Sequence, residues 1–187
     1  LLKGHLNIMM RQAMEKSGFR PPKVKSFDKK LKRPRIVVLA EIFSSIHAMG
    51  RCYSDYIEQL RQDFEVILIS TESEVDEPIT KIFDKTITFN VQEKSLNEIG
   101  DLISSQEADI IYYPSLGMAA WTLAMMPFRF APVQILTPGH PATSISDSID
   151  YLISAEFLLK YQELYSEKLV CIDNNIYDDL TKRNDEA

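Results

Sequence analysis

No stretch of this sequence approaches the roughly 18 consecutive apolar residues that a bilayer-spanning helix needs, so no membrane span is expected. Only two cysteines occur, Cys52 and Cys171, far apart and in neither a metal-ligand nor a redox spacing. That predicts two unpaired thiols in a reducing cytoplasm, not a disulfide. Nowhere is there a G-x-G-x-x-G or a G-x-x-x-x-G-K-[ST], which argues against an NAD or ATP cradle of those kinds. No Asp-x-Asp occurs, so the usual carboxylate pair for a metal-bound nucleotide diphosphate is missing. No metal site and no cofactor are expected. Positive charge is not in excess: the formal net charge is −6, which disfavours free nucleic-acid binding. Internal repeats and low-complexity segments are absent. There is no starting methionine and no secretory signal, so the sequence reads as a piece of something longer.

What remains is a chain of 187 residues with 45% hydrophobic content, enough for one core of ordinary size. Residues 1 to 17 carry helical spacing through Leu2, Leu6, Met9, Met10, Ala13 and Met14, stopped by Ser17-Gly18 and Pro21-Pro22. A basic run, Lys29-Lys30-Leu31-Lys32-Arg33-Pro34-Arg35, reads as a solvated linker. From there strand and helix patterns alternate. "RIVVLA" (35–40) and "FEVILIS" (64–70) are buried strands, and residues 48–62 lie between them with helical spacing. "KTITFN" (85–90) is a shorter strand. A Ser95-x-x-Glu98 capping box opens a helix over 95–106. "DIIYYP" (109–114), "VQILT" (133–137), "DYLIS" (150–154) and "KLVCI" (168–172) complete the strands, with helices at 117–126 and 155–164. The pattern predicts an α/β fold: an open, mostly parallel Rossmann-like sheet with helices on both faces. The expected divisions are an N-terminal helix and linker (1–34), the Rossmann-like unit (35–175) and a frayed tail (176–187).

In such sheets ligands sit at the carboxyl ends of the strands. After the first strand, Ser44, Ser45 and His47 arrive at the start of a helix. Two readings stand: a serine caps the helix with His47 in its first turn, or the histidine serves chemistry or an anion there. After the strand at 109–113, Ser115 reads as a cap of the next helix and Gly117 permits close backbone approach. The cluster Met118, Trp121, Met125, Met126 and Phe128 reads as core. After the strand at 133–137 comes Pro138-Gly139-His140-Pro141, with Thr143 and Ser144 alongside. Two prolines forbid a regular helix and fix the histidine at a strand's end, a placement that suits a residue whose position matters. Asp147 and Asp150 read as loop or cap residues.

Taken together, "APVQILTPGHPATSISDSIDYLIS" (131–154) resembles a segment of the O-GlcNAc transferase family, and "YSEKLV" (165–170) resembles that family's downstream Y-S-E-K-L element. "FSSIHAMGRCYSDYIEQLRQDFEVILIS" (43–70) and "DIIYYPSLGM" (109–118) are similar to one branch, the bacterial cytoplasmic N-glucosyltransferases that modify adhesins. The resemblance covers about residues 35–172. It implies the first of the two Rossmann-like halves of a GT-B architecture, with the active site in the cleft between them. It implies an inverting, metal-independent transfer of glucose or GlcNAc from a UDP-sugar to Asn or Ser/Thr of an acceptor protein or peptide in the cytoplasm. The donor would be shared with a second half not found here, so the isolated chain is expected to be inactive. Position by position, His47 and His140 are carried over as the catalytic residues. Ser44, Ser45, Arg51, Ser115, Gly117, Gly139, Pro141, Ala142 and Thr143 follow as substrate-binding, with no metal. Ser44 stands where that branch has a further histidine. The alternatives are a non-catalytic peptide- or sugar-binding module of the same fold, or a Rossmann-like domain binding another small anion.

Overall fold

The structure, a computed structural model, describes residues 2–28, 30, 32–139, 143–154 and 156–171. Its elements, in chain order, are α1 (Leu2–Lys16), β1 (Arg35–Leu39), α2 (Ala48–Leu60), β2 (Glu65–Thr71), α3 (Glu77–Thr80), β3 (Lys85–Phe89), α4 (Leu96–Ser104), β4 (Ile110–Tyr113), α5 (Ala120–Met125), β5 (Val133–Leu136), β6 (Tyr151–Ser154) and β7 (Lys168–Cys171). Short 3₁₀ segments occupy Glu72–Glu74 and Glu156–Leu164.

The seven strands form one sheet in the order β3-β2-β1-β4-β5-β6-β7, and every pair is parallel. The near-continuous apolar runs of β1 and β2 follow from burial on both faces. Val37, Leu39, Ile67, Ile69, Ile111 and Tyr113 point to one side, where Met14, Phe19, Ile99, Ile103 and Met125 cover them. Ile36, Val38, Val66 and Leu68 point to the other, against Ile57 of α2 and Ile79 of α3. Truncating a fully buried residue such as Ile57 to alanine costs about 2–5 kcal/mol. Met14 and Phe19 lie in the first of these cores, so the N-terminal helix region is packed onto the sheet.

Three aspartates fasten the amino ends of the strands. Each immediately precedes a strand and accepts the amide of a residue at the start of the neighbouring one: Asp109 from Arg35, Asp84 from Val66, and Asp150 from Gln134, at 2.8–2.9 Å. Arg33 and Arg61 also pair with Asp84, and Arg129 pairs with Asp150. Asp150 is thus a strand-edge acceptor, while Asp147 meets Arg11 of α1. The expected capping box on α4 is present, with Ser95 and Glu98 bonding reciprocally.

Some expectations are corrected. The helix expected over 155–164 is a 3₁₀ segment broken at Tyr161, where φ is −112° and ψ 22°. The segment between β2 and β3, for which no helix was expected, contains α3, capped by Asp76. Met118 is exposed, unlike the rest of its apolar cluster. No helix among the described residues is long and apolar enough to cross a membrane.

Candidate functional site

Strand order reverses direction at β1, which lies between β2 and β4 although β4 comes 71 residues after it in the chain. Open sheets bind ligands outside the carboxyl ends at such a point. The segments that leave the carboxyl ends of β1, β4 and β5 therefore define the site.

After β1 the chain turns through Glu41 to His47. The expectation that Ser44 or Ser45 caps α2 is corrected: His47 is the N-cap, and its Nδ1 accepts the Met49 amide at 3.3 Å. With Nδ1 accepting, a neutral ring carries its proton on Nε2 and offers a donor outward. Ser44 instead contributes its carbonyl, which accepts the His47 amide at 3.1 Å. Ser45 donates its amide and hydroxyl to Asp76 at 2.9 and 2.5 Å. The Ser45 hydroxyl holds the Asp76 carboxyl below its ordinary range, helped by the Ser45 and Ile79 amides against the cost of desolvation. Ser45 is thereby an anchor of the loop. Arg51 lies one turn into α2 and is exposed.

After β4, Pro114 and Ser115 are buried and the chain emerges at Gly117, whose φ of +118° suits only glycine. Ser115 is 1% exposed and donates its hydroxyl to Glu41 at 3.1 Å. Ser115, carried over as substrate-binding, is thus buried with its hydroxyl engaged, and Gly117 is the exposed part of this turn.

After β5, Thr137 is held by the Pro114 carbonyl at 2.9 Å and by Tyr112 at 3.0 Å. Gly139 follows and passes close to the other two segments. A Cβ built on it would fall 2.3 Å from Ser115 Cβ and 2.9 Å from Met49 Cε. The strand-end segments of β1, β4 and β5 thus meet around Gly139. His140, Pro141 and Ala142 lie outside the described residues. Beyond them, the Thr143 hydroxyl donates to Glu167 at 2.7 Å, and Glu167 also accepts the Ser144 amide at 2.6 Å. Glu167 has no solvent exposure, and Thr143 serves as an anchor of its loop.

Sequence reasoning missed two carboxylates, Glu41 and Glu167, both buried. The signal for the first was an acid inside the otherwise apolar "VVLAEIF"; the second lay within the Y-S-E-K-L element. A groove of about 740 Å³ adjoins the site. It runs from Thr137 and Pro138 between α2 and the strands, along Tyr53, Tyr56, Ile135 and Ile153. That volume falls in the range of small-molecule sites. The described residues contain no group of three or more His, Cys, Asp or Glu able to hold a metal ion, and Cys52 and Cys171 are not joined in a disulfide.

No known protein-family profile matches the chain. It is 31% identical over 172 residues to the UDP-glucose:protein N-beta-glucosyltransferase of Actinobacillus pleuropneumoniae serotype 5b, an alignment covering 90% of this chain and 28% of that protein. The enzyme of the same name from serotype 7 of that species matches with the same identity and coverage. The chain therefore spans just over a quarter of the length of these curated relatives. Among solved structures, a mutant of Thermobaculum terrenum O-GlcNAc transferase superposes with a TM-score of 0.62 at 21% identity, covering 89% of this chain and 33% of that one. At that identity the likeness bears on the fold.

Proposed function

We propose that the chain, 31% identical to the UDP-glucose:protein N-beta-glucosyltransferases, belongs with the O-GlcNAc transferase-like glycosyltransferases and forms the acceptor-side domain of an inverting, UDP-sugar-dependent protein glycosyltransferase. The observation that carries this reading is the meeting of three strand-end segments around Gly139, beside an exposed Gly117 and the N-cap His47. In the proposed reaction an acceptor amide nitrogen or hydroxyl oxygen bonds to the anomeric carbon as the bond to the diphosphate breaks. UDP leaves with the electron pair, and the acceptor's proton passes to a base or to water. The transition state has oxocarbenium character. The diphosphate's developing charge needs cationic or N–H groups; these would come mainly from a further half outside this chain, and the transfer is proposed to need no metal.

His47 is proposed to orient the acceptor. Its Nδ1 is engaged by the Met49 amide, so the neutral ring donates from Nε2, and the geometry favours this role over that of proton acceptor. An amide nitrogen needs positioning more than a base. His140 is proposed, on the resemblance of its loop, to position the sugar. Gly117, Gly139 and Arg51 are proposed to border the substrate. The internal bonds of Ser45, Ser115 and Thr143 favour a supporting part for these three.

The test is titration of UDP, UDP-glucose and UDP-GlcNAc, with acceptor peptide, into a longer chain carrying the remaining length of the relatives. His47→Ala and His140→Ala are expected to lower turnover by about 10²–10⁴. Full turnover in both variants would refute the assignment. The isolated 187-residue chain is expected to release no UDP from UDP-glucose. Specific peptide or sugar binding with no transfer by the longer chain would favour a non-catalytic module, a reading supported by Ser44 standing where the related branch has a histidine.

A further inference from the structure

Glu41 is 1% exposed, and a buried carboxylate is costly unless its charge is met. No cation meets it among the described residues. Five donors do. Oε1 accepts the amides of Gly117, Met118 and Ala119 at 2.9, 3.0 and 3.0 Å and the Thr122 hydroxyl, while Oε2 accepts the Ser115 hydroxyl at 3.1 Å. Both carboxylate oxygens are therefore occupied by donors of this chain.

The arrangement does more than cap a helix. Ala119, the residue before α5, has no side chain able to cap it, and Glu41 supplies the acceptor from 78 positions away. Three consecutive amides reach one oxygen only because Gly117 adopts its positive φ. Ser115, held by the other oxygen, is the residue against which Gly139 packs. One carboxylate at the end of β1 therefore fixes the turn after β4, and through it the approach of the segment after β5.

We propose that Glu41 is a positioning residue, which takes no part in bond making and instead holds the Gly117–Met118 edge and the Ser115–Gly139 contact in register for substrate. This deepens the function proposed above, on which only its substrate arm rests.

The experiment compares Glu41→Gln with Glu41→Met in the 187-residue chain, by amide hydrogen exchange resolved by NMR. Glutamine keeps an acceptor at Oε1 and lets the Ser115 hydroxyl accept from its Nε2. Methionine keeps the length and removes both acceptors. Exchange at residues 117–119 is expected to stay within about threefold in Glu41→Gln and to rise at least about tenfold in Glu41→Met, with the Gly139 resonance displaced and Ile99–Ile103 of α4 unchanged. Continued protection of 117–119 in Glu41→Met would overturn the proposal. Should that variant fail to fold, Ser115→Ala with Thr122→Val removes two of the five donors; faster exchange at 117–119 supports the role, and unchanged exchange rejects it. In the longer protein, affinity for UDP-glucose or acceptor peptide should weaken about tenfold in Glu41→Met and recover in Glu41→Gln. A loosened turn with unchanged affinities would reject the link to substrate. Absence of any binding by the unsubstituted protein would refute the proposed function, while the exchange data still decide what Glu41 does.

Discussion

Replacing Gly139 with alanine tests whether the three strand-end segments really touch. The added Cβ would lie 2.3 Å from Ser115 Cβ and 2.9 Å from both Ser115 Cα and Met49 Cε. Ordinary carbon contacts are about 3.5–4.0 Å, so something must move by more than about 1 Å. The Met49 methyl group can swing aside; the Ser115 backbone, held through Glu41, cannot do so freely. Gly139 does not have a positive φ, so the whole penalty comes from contact. Overpacking of this kind costs about 1–3 kcal/mol, offset by about 0.4–1 kcal/mol from the stiffer unfolded chain. The net expectation is a loss of about 1–2 kcal/mol, read in calorimetry as a Tm lower by about 2–8 °C for a chain of this size. Ser115→Gly removes the nearer of the two Ser115 contacts, so a double-mutant cycle should show a coupling of about 1 kcal/mol. A Gly139→Ala protein as stable as its parent, or a cycle with no coupling, would refute the convergence.

His47→Ala should lose about 1 kcal/mol of stability with its cap, and His47→Ser should regain most of it while still lacking the imidazole; thermal melts in which serine is as damaging as alanine would contradict the capping role. Tyr113 is fully buried, and burial pushes its phenol well above the ordinary value. Above roughly pH 10 the unfolded chain loses that proton while the folded one keeps it, so stability falls with pH by about 1.4 kcal/mol per unit from this group and is intact below that point. Tyr113→Phe should make the alkaline limb of a denaturation series shallower, and an unchanged limb would count against it. The Asp84 carboxyl is held below its ordinary value: desolvation opposes this, but the Val66 amide and Arg33 outweigh it. Its contribution is present above the ordinary carboxylate range and lost as pH falls below it, so Asp84→Asn should flatten the acid limb between about pH 5 and 2.

The sheet was legible because its signals are local. "RIVVL" and "EVILIS" have no polar interruption, and the Ser95–Glu98 box announces α4 within four residues. At the candidate site, motifs drew attention to Gly117 and Gly139, where the structure has a positive φ and a close backbone approach. Glu41 escaped notice because its partners lie more than 70 positions downstream, and an isolated acid after a strand reads as solvated. His47 as a cap escaped because serine normally does that work and two serines stood just before it. The 3₁₀ segment escaped because spacing of apolar residues does not reveal the break at Tyr161.

The pairing of β1 with β4 also sets an order of assembly. Arg35 and Asp109 meet across 74 residues, whereas β1 and β2 join across 30. A nascent chain ending before residue 110 can build β1, β2 and β3 but leaves one edge of β1 unpaired and open to aggregation, with Glu41 lacking its five donors. During synthesis the crevice is therefore among the last parts to close, and a chain stalled inside that interval should be the form most in need of a chaperone.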